Sequence, residues 1–357
     1  MTEQLHYRND GPPIDARHVE DFATSALAQV GVPIDDAKFV GKTLIHADLR
    51  GVHSHGVRLL TNYIHEIQAG TANPTPKVRT TNDSQGAAVF EGDRSLGQIG
   101  ARAGIQAAMN LATERGIGVA SVANTGHFGA AAYWALLAAN AGFIGFATSN
   151  MAGPINLAYG SKEPATGNTP LAWAFPSGNP YPVVLDMACG AYAIGKIRLA
   201  AAADQPLPDN VAADADGQPT NNAADAAYVL PAGGPKGYGI GLIHDLIAGC
   251  LTGDGATIMK GAYDPPTSGP KGSLFFMTID VNAFLPIADF RQAMDLQTHT
   301  VNQLPPADGF PQVHMPGQPE WELFETRKHT GISYPPGVLD NLDSLADDLG
   351  LEFPTTK

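Results

Sequence analysis

Cysteine is nearly absent from this 357-residue chain, which has only Cys189 and Cys250. Two thiols cannot staple a chain of this size, so a disulfide framework is excluded and a reduced, cytoplasmic setting is expected. Positive charge is scarce as well, with 21 Lys and Arg against 35 Asp and Glu and a net charge of -14. Phosphate backbones are bound by clustered Lys and Arg, so a nucleic-acid surface is not expected. Long apolar runs are missing: stretches such as Gly142 to Phe146 are brief and broken by glycine, far short of the roughly 20 residues that cross a bilayer. No charged-then-apolar leader precedes Gly11-Pro12-Pro13, so no targeting segment is expected either.

Three motifs are lacking too. No strand runs into a G-x-G-x-x-G and a helix with an acidic residue about 20 positions on, the fingerprint of the common dinucleotide fold. Gly233-Gly234-Pro235-Lys236-Gly237-Tyr238-Gly239 is glycine-rich and carries a lysine, but it has neither the spacing nor the terminal Ser/Thr of a P-loop. Lying before an apolar helix, its backbone donors and its lysine remain candidates for a pyrophosphate. No H-E-x-x-H or paired-cysteine spacing supports a metal, and none is expected.

The length fits two packed lobes. Apolar residues at helical spacing predict helices over Asp15 to Gln29 and Asp35 to Asp48, and a third from Leu59 that Gly70 stops. Short buried strands are read at Ala87 to Phe90, Ile117 to Val122, Ile144 to Thr148, Leu171 to Phe175, Val183 to Asp186 and Leu274 to Ile279. Helices Gly97 to Ala112, Ala130 to Ala141 and Ile240 to Leu251 fall between them, so the class is α/β. Asp209 to Ala223 is acidic and turn-rich and reads as a solvated loop.

Against this background one segment stands out: His53-Ser54-His55-Gly56-Val57-Arg58 gathers two imidazoles, a hydroxyl and a guanidinium beside a glycine. Imidazole exchanges protons near neutrality and a guanidinium pairs with carboxylate, so the segment reads as chemistry on a small acid. Its place at the start of a helix, where backbone N–H groups point outward, favours a bound anion. Thr125-Gly126-His127-Phe128-Gly129 adds another imidazole between glycines. His53 reads as a structural neighbour of His55. For Arg58 the competing reading is a surface ion pair with Glu66, and for Lys236 and its glycines a tight solvated turn.

The order of Asp48-Leu49-Arg50-Gly51-Val52-His53-Ser54-His55-Gly56-Val57, Thr125-Gly126-His127-Phe128-Gly129, Gly167-Asn168-Thr169-Pro170-Leu171-Ala172, Leu185-Asp186-Met187-Ala188, Gly195-Lys196-Ile197, Gly234-Pro235-Lys236-Gly237-Tyr238-Gly239 and Met315-Pro316-Gly317 resembles the type-2 malate/L-lactate dehydrogenase family. The likeness spans nearly the whole chain. It implies a nicotinamide-dependent oxidoreductase with a mixed, largely antiparallel sheet in place of the Rossmann arrangement. It also implies a helical lobe of residues 1–124 with 310–357 and a cofactor lobe of residues 125–309.

Position by position, the resemblance makes His55 the proton donor to a substrate carbonyl, with Ser54 as relay, and sets His127 against the nicotinamide as a competing acid. It assigns Arg58, Asn168, Thr169 and Lys196 to the substrate, and His127, Phe128, Gly129, Asp186, Met187, Ala188, Lys236, Gly237 and Gly317 to NAD or NADP. Asp186 facing ribose hydroxyls implies NAD, because a 2′-phosphate would meet a like charge. Gly195-Lys196 follows the hydroxy-acid dehydrogenases, whereas relatives that reduce cyclic imines carry a carboxylate there. The expected reaction is hydride transfer between NAD(P) and a small 2-hydroxy acid of malate or lactate type, by a homodimer with its site near the subunit boundary. The alternatives are reduction of a cyclic ketimine or 2-oxo sugar acid, and a non-catalytic binding protein on the same scaffold. Two departures bear on the substrate. The family's Ser-His-Gly-Val-x-Arg becomes Ser54-His55-Gly56-Val57-Arg58-Leu59, and its Gly-Thr-Asn-Pro becomes Gly167-Asn168-Thr169-Pro170.

Overall fold

The computed structural model describes residues 11–202, 204–261 and 272–354. Helices Ala16–Gln29 and Ile34–Leu49 form where their apolar spacing predicts. The first is capped by the Asp15 side chain, which accepts from the Arg17 N–H. Their inward faces, Leu27 and Leu44 among them, share one core with Leu60, Ile64, Tyr334 and Leu342, so the C-terminal helix Pro336–Leu349 closes the N-terminal layer. Backbone hydrogen bonds between Ile14 and Ile332 fasten the two ends of the described chain.

A seven-stranded sheet lies beside this layer, in the order Arg79–Asp83, Ala87–Ser95, Ile117–Thr125, Gly272–Asp280, Phe143–Met151, Leu171–Phe175, Val183–Met187. Only Ala87–Ser95 and Ile117–Thr125 run parallel; every other neighbouring pair is antiparallel. The sheet is therefore mixed and largely antiparallel, and it draws strands from both sides of residue 124. Successive side chains of a strand point to opposite faces. Accordingly Ala147 and Phe276 join the core under helices Gly97–Arg115 and Ala131–Asn140, while Phe146 and Phe275 join Ala248 on the other face.

Two expectations change. The acidic stretch read as a loop contains the strands Ala212–Ala213 and Pro219–Thr220 of a second, five-stranded sheet, because a two-residue ladder leaves no apolar alternation to read. The helix expected from Ile240 begins instead at Pro235 and runs on at Asp245 into a π-turn over Leu246–Cys250. The lysine and glycines read as a phosphate loop are its opening residues.

Helix Gly97–Arg115 meets the sheet along a glycine edge, and this contact places the His127 segment. A Cβ at Gly97 would stand 2.2 Å from the Gly126 carbonyl oxygen, and one at Gly104 would stand 2.8 Å from the Phe276 ring. Both neighbours of Gly97 in that contact are backbone, which cannot swing aside as a flexible side chain can. Gly97→Ala is expected to lower stability by about 1–3 kcal/mol, the usual cost of forcing atoms into a packed interface. Denaturant unfolding will read this, and an unchanged midpoint would show that the loop yields freely.

Candidate active site

The Ser54-His55 pair stands on two short 3-10 turns, His53–His55 and Val57–Leu59, that lead into helix Leu60–Gln68. A buried carboxylate holds them. Asp48, 1% exposed, accepts from the Val57 N–H at 2.8 Å and from the Tyr334 hydroxyl at 3.2 Å, and its other oxygen lies 2.7 Å from His53 Nδ1. Arg327 donates to the Asp48 carbonyl and, at 3.1 Å, to His53 Nε2. His53 thus has Asp48 on one ring nitrogen and Arg327 on the other, a structural role that leaves its neighbour to face the cleft. Gly56 is required here, since a Cβ would fall 1.9 Å from the Asp48 carboxylate.

The second imidazole arrives from the end of strand Ile117–Thr125. The His55 and His127 rings lie 5.3 Å apart, centroid to centroid. His127 Nδ1 accepts from the Gly129 N–H at 3.3 Å and sits 2.9 Å from the Tyr63 hydroxyl. That hydroxyl accepts from Gln98 at 3.2 Å and so turns its own proton toward the ring. With Nδ1 occupied as an acceptor, neutral His127 carries its hydrogen on Nε2. His55 Nδ1 faces the Ser54 hydroxyl at 2.8 Å, and since a hydroxyl both donates and accepts, this ring keeps both tautomers.

Beside His55 opens a cleft of about 360 Å³, lined among others by His46, Arg50, Asn168, Asp186, Gly317 and Glu320. Leu185, Met187 and Ala188 bring the end of strand Val183–Met187 to it, and Ala130, Ala131 and Ala132 bring the start of helix Ala131–Asn140. Gly317 adopts φ +83°, and a Cβ there would strike Val184 at 2.8 Å, so only glycine lets the chain cross this wall. Six alanines and Gly317 keep part of the wall low, and the larger polar side chains stand among them.

The remaining candidates divide. Thr169 is buried with φ +40°, and its hydroxyl turns back to the Gly167 carbonyl at 3.4 Å, so of this pair only Asn168 faces the cleft. The Phe128 side chain is core, stacked on Trp134, whose Nε1–H donates to the Phe128 carbonyl at 3.0 Å. Arg58 is exposed and off the cleft wall, though its charge is felt by His55. Lys196 Nζ lies over the Tyr192 ring, 5.5 Å from its centroid, rather than in the cleft. Lys236 is exposed; Gly237 is buried against the Ala232 and Cys189 carbonyls, so it braces the strand end without lining the cleft. His46, Arg50, Glu320 and the Tyr63–Gln98 relay were not singled out from sequence. Arg50 lay inside a quoted motif, but nothing in the sequence shows that an arginine at a helix end is buried. Among the described residues no group of three or more His, Cys, Asp or Glu is placed to hold a metal ion.

Burial shifts the ionisable groups toward their neutral forms. Desolvation lowers His55 to about 4, helped by the Arg58 charge, and lowers His127 to about 3, helped by His55. His46, packed edge-on to Tyr133, falls to about 3 by desolvation with the Arg50 charge adding to it. Asp186 is reachable from the cleft but crowded by surrounding atoms. Desolvation pushes its carboxyl up to about 6, against the Ala132 N–H bond at 2.9 Å and the Arg50 charge.

Comparison with known proteins follows the same outline. Residues 14–343 match the family described as malate/L-lactate dehydrogenase. The chain is 34% identical over 329 residues to L-sulfolactate dehydrogenase of Methanocaldococcus jannaschii, covering 92% of this chain and 94% of that protein. It is 33% identical over 306 residues to ureidoglycolate dehydrogenase (NAD(+)) of Escherichia coli, covering 85% and 87%. The solved structure of the M. jannaschii sulfolactate dehydrogenase superposes with TM-score 0.88 at 32% identity, covering 96% of this chain and 98% of that one.

The lowered imidazoles set a stability profile. Unfolded, each titrates near 6.5; folded, His46, His55 and His127 titrate near 3, 4 and 3. The unfolded chain therefore binds more protons between about 4 and 6.5, so stability is full above that window and is lost as pH falls through it. Asp186, shifted the other way to about 6, offsets one of the three. The melting temperature is expected to be level above about pH 7 and to fall steadily toward pH 4, with a shallower fall in His46→Gln. Equal slopes in the two proteins would remove His46 from the account.

Proposed function

The chain belongs to the malate/L-lactate dehydrogenase family of hydroxy-acid oxidoreductases, and from that premise we propose that it moves a hydride between a nicotinamide dinucleotide and a small 2-hydroxy acid of malate or lactate type. The observation that carries the reading is the meeting of two imidazoles, from residues 55 and 127, at 5.3 Å beside a cleft. The residues fit a dinucleotide. The cleft wall carries six alanines, Gly317 and one buried guanidinium beside the start of helix Ala131–Asn140. When bound, the nicotinamide supplies the hydride acceptor in oxidation and the donor in reduction.

The chain's own residues then handle the proton and the charge. In oxidation the C2 hydroxyl gives its proton to a neutral imidazole as the C2–H leaves as hydride and the C–O bond becomes a carbonyl. His55 suits that role, since with its hydrogen on Nδ1 toward Ser54 its Nε2 is a free base. His127, held by Gly129 and Tyr63 as the Nε2–H tautomer, donates a hydrogen bond to the same oxygen and stabilises its negative charge. Asn168, in the turn before strand Leu171–Phe175 and beside the Val183–Met187 strand end, supplies a further polar contact.

Nucleotide binding in this reading dispenses with the Rossmann arrangement. The cofactor lobe is residues 125–309, with the strands before residue 125 extending its sheet. Asp186 and Glu320 outnumber Arg50 on the cleft wall, which favours NAD over the more highly charged NADP; the E. coli relative named for NAD(+) supports the same choice. The exposed apolar side chains Ile240, Ile243, Leu251, Ile258 and Met259 are of the kind a second copy would cover, in keeping with a homodimer. Two free thiols, Cys189 and Cys250, fit a cytoplasmic enzyme.

His55→Ala and His127→Ala are each expected to lower turnover of pyruvate or oxaloacetate with NADH by about 100-fold or more with the fold intact. Full activity in both variants would overturn the assignment. Separately, titrating NADH and NADPH into the protein should show tighter binding of NADH, and the opposite order would remove the argument from Asp186.

A further inference from the structure

Arg50 is the single Lys or Arg on the cleft wall among the described residues that line it, and it is 8% exposed. Its guanidinium makes no hydrogen bond and no close ion pair with any described residue, and its nitrogens are not fully enclosed, so its donors open to the cleft. A buried cation left in this state is a site that a ligand completes. The other cations first assigned to ligands do not serve, because Arg58 and Lys236 are exposed off the cleft wall and Lys196 lies over Tyr192. Leu59, at the position where the family pattern carries arginine, packs against the helical core.

We propose that Arg50 is the anion anchor of the cleft, gripping one singly charged oxyanion of the ligand, either the carboxylate of the 2-hydroxy acid or a phosphodiester oxygen of the dinucleotide. The inference rests on the reading of the preceding subsection and names the residue that holds the ligand. A guanidinium fork matches a carboxylate or phosphodiester with two parallel hydrogen bonds. Asp186 and Glu320 lie near enough to support the Arg50 charge against the desolvation that opposes it, yet Asp186 is already engaged by the Ala132 N–H. One cation flanked by two carboxylates tolerates a monoanion better than a doubly charged phosphate monoester.

The test uses the intact protein and the variants R50Q and R50K. NADH is titrated by the change in its own fluorescence, and oxamate, a carboxylate that cannot be reduced, is titrated calorimetrically into NADH-saturated protein. R50Q is expected to weaken NADH or oxamate by about tenfold or more, whichever supplies the gripped oxyanion, with R50K intermediate because an ammonium keeps the charge but loses the fork. Unchanged affinity for both ligands in R50Q overturns the anchor while leaving the dehydrogenase reading in place. Should R50Q fail to fold, R50K decides: a threefold or greater loss for either ligand supports the anchor, and wild-type affinity for both sinks it. If the wild-type protein binds neither NADH nor oxamate, the dehydrogenase reading falls and the anchor falls with it.

Discussion

The buried carboxylate of Asp48 is the constraint on which the geometry of this molecule turns. A charge taken out of water is costly unless every lone pair is used. Here the side chain is shared among His53, the Val57 N–H and the Tyr334 hydroxyl, and the carbonyl of the same residue is taken by Arg327. Asp48 itself stands at the end of helix Ile34–Leu49, and its partners come from the two turns around Ser54-His55 and from the C-terminal segment. One group therefore ties three regions far apart in sequence, and the turn bearing His55 has no freedom left at Gly56, where the carboxylate already occupies the space of a Cβ. A network of this kind is strong only when complete, which makes the turn bearing His55 and the docking of the Arg327 and Tyr334 segment a single cooperative feature.

His127 is held from the opposite side by independent means. The glycine edge of helix Gly97–Arg115 fixes its backbone, and Gln98 on that same helix orients Tyr63, which orients the ring. Phe128 contributes from below, clamped by Trp134 through both stacking and the indole hydrogen bond. His55 is set within the helical layer and His127 by that layer's Tyr63 together with helix Gly97–Arg115, and their approach to 5.3 Å follows from the packing of helical layer on sheet. Ring positions set by rigid elements need no reorganisation when charge develops on a ligand oxygen, the condition for electrostatic preorganisation.

Much of this was legible because apolar periodicity and motif order survive in a single chain. Helix Ala16–Gln29 shows its buried stripe of Val19, Phe22, Ala23 and Leu27 directly, and the strand Leu171–Phe175 appears at its expected limits. The resemblance carried by the ordered motifs is what put His55 and His127 into one site, and their rings lie 5.3 Å apart. What was hidden depends on burial and backbone angle, which a sequence does not display. Arg50 and the exposed Arg58 look alike as letters, yet one is walled in. Thr169 next to Pro170 gives no sign that φ +40° turns its hydroxyl away from the cleft. Helices Ile287–Asn302 and Gln318–Thr330 went unread because few of their residues are buried and their apolar stripes are weak, although the second supplies Arg327 to the Asp48 network and Glu320 to the cleft.

The cleft's resistance to charge also shapes its chemistry. His55 and His127 are held neutral well below physiological pH, so in the proposed oxidation a base is ready without any change in protonation. Reduction of a keto acid demands the reverse, an imidazole that has already gained a proton in surroundings that disfavour it. A bound anion changes that balance, because a nearby negative charge favours the protonated ring and expulsion of water strengthens the attraction. In the proposed reaction the ligand's own carboxylate and the developing alkoxide would therefore charge the acid they require, with proton uptake accompanying formation of the reactive complex. Under the proposed function, in a cleft whose wall carries Arg50, Asp186, Glu320, His46 and His55, with the His127 ring 5.3 Å from that of His55, the arrival of substrate is the event that arms the site.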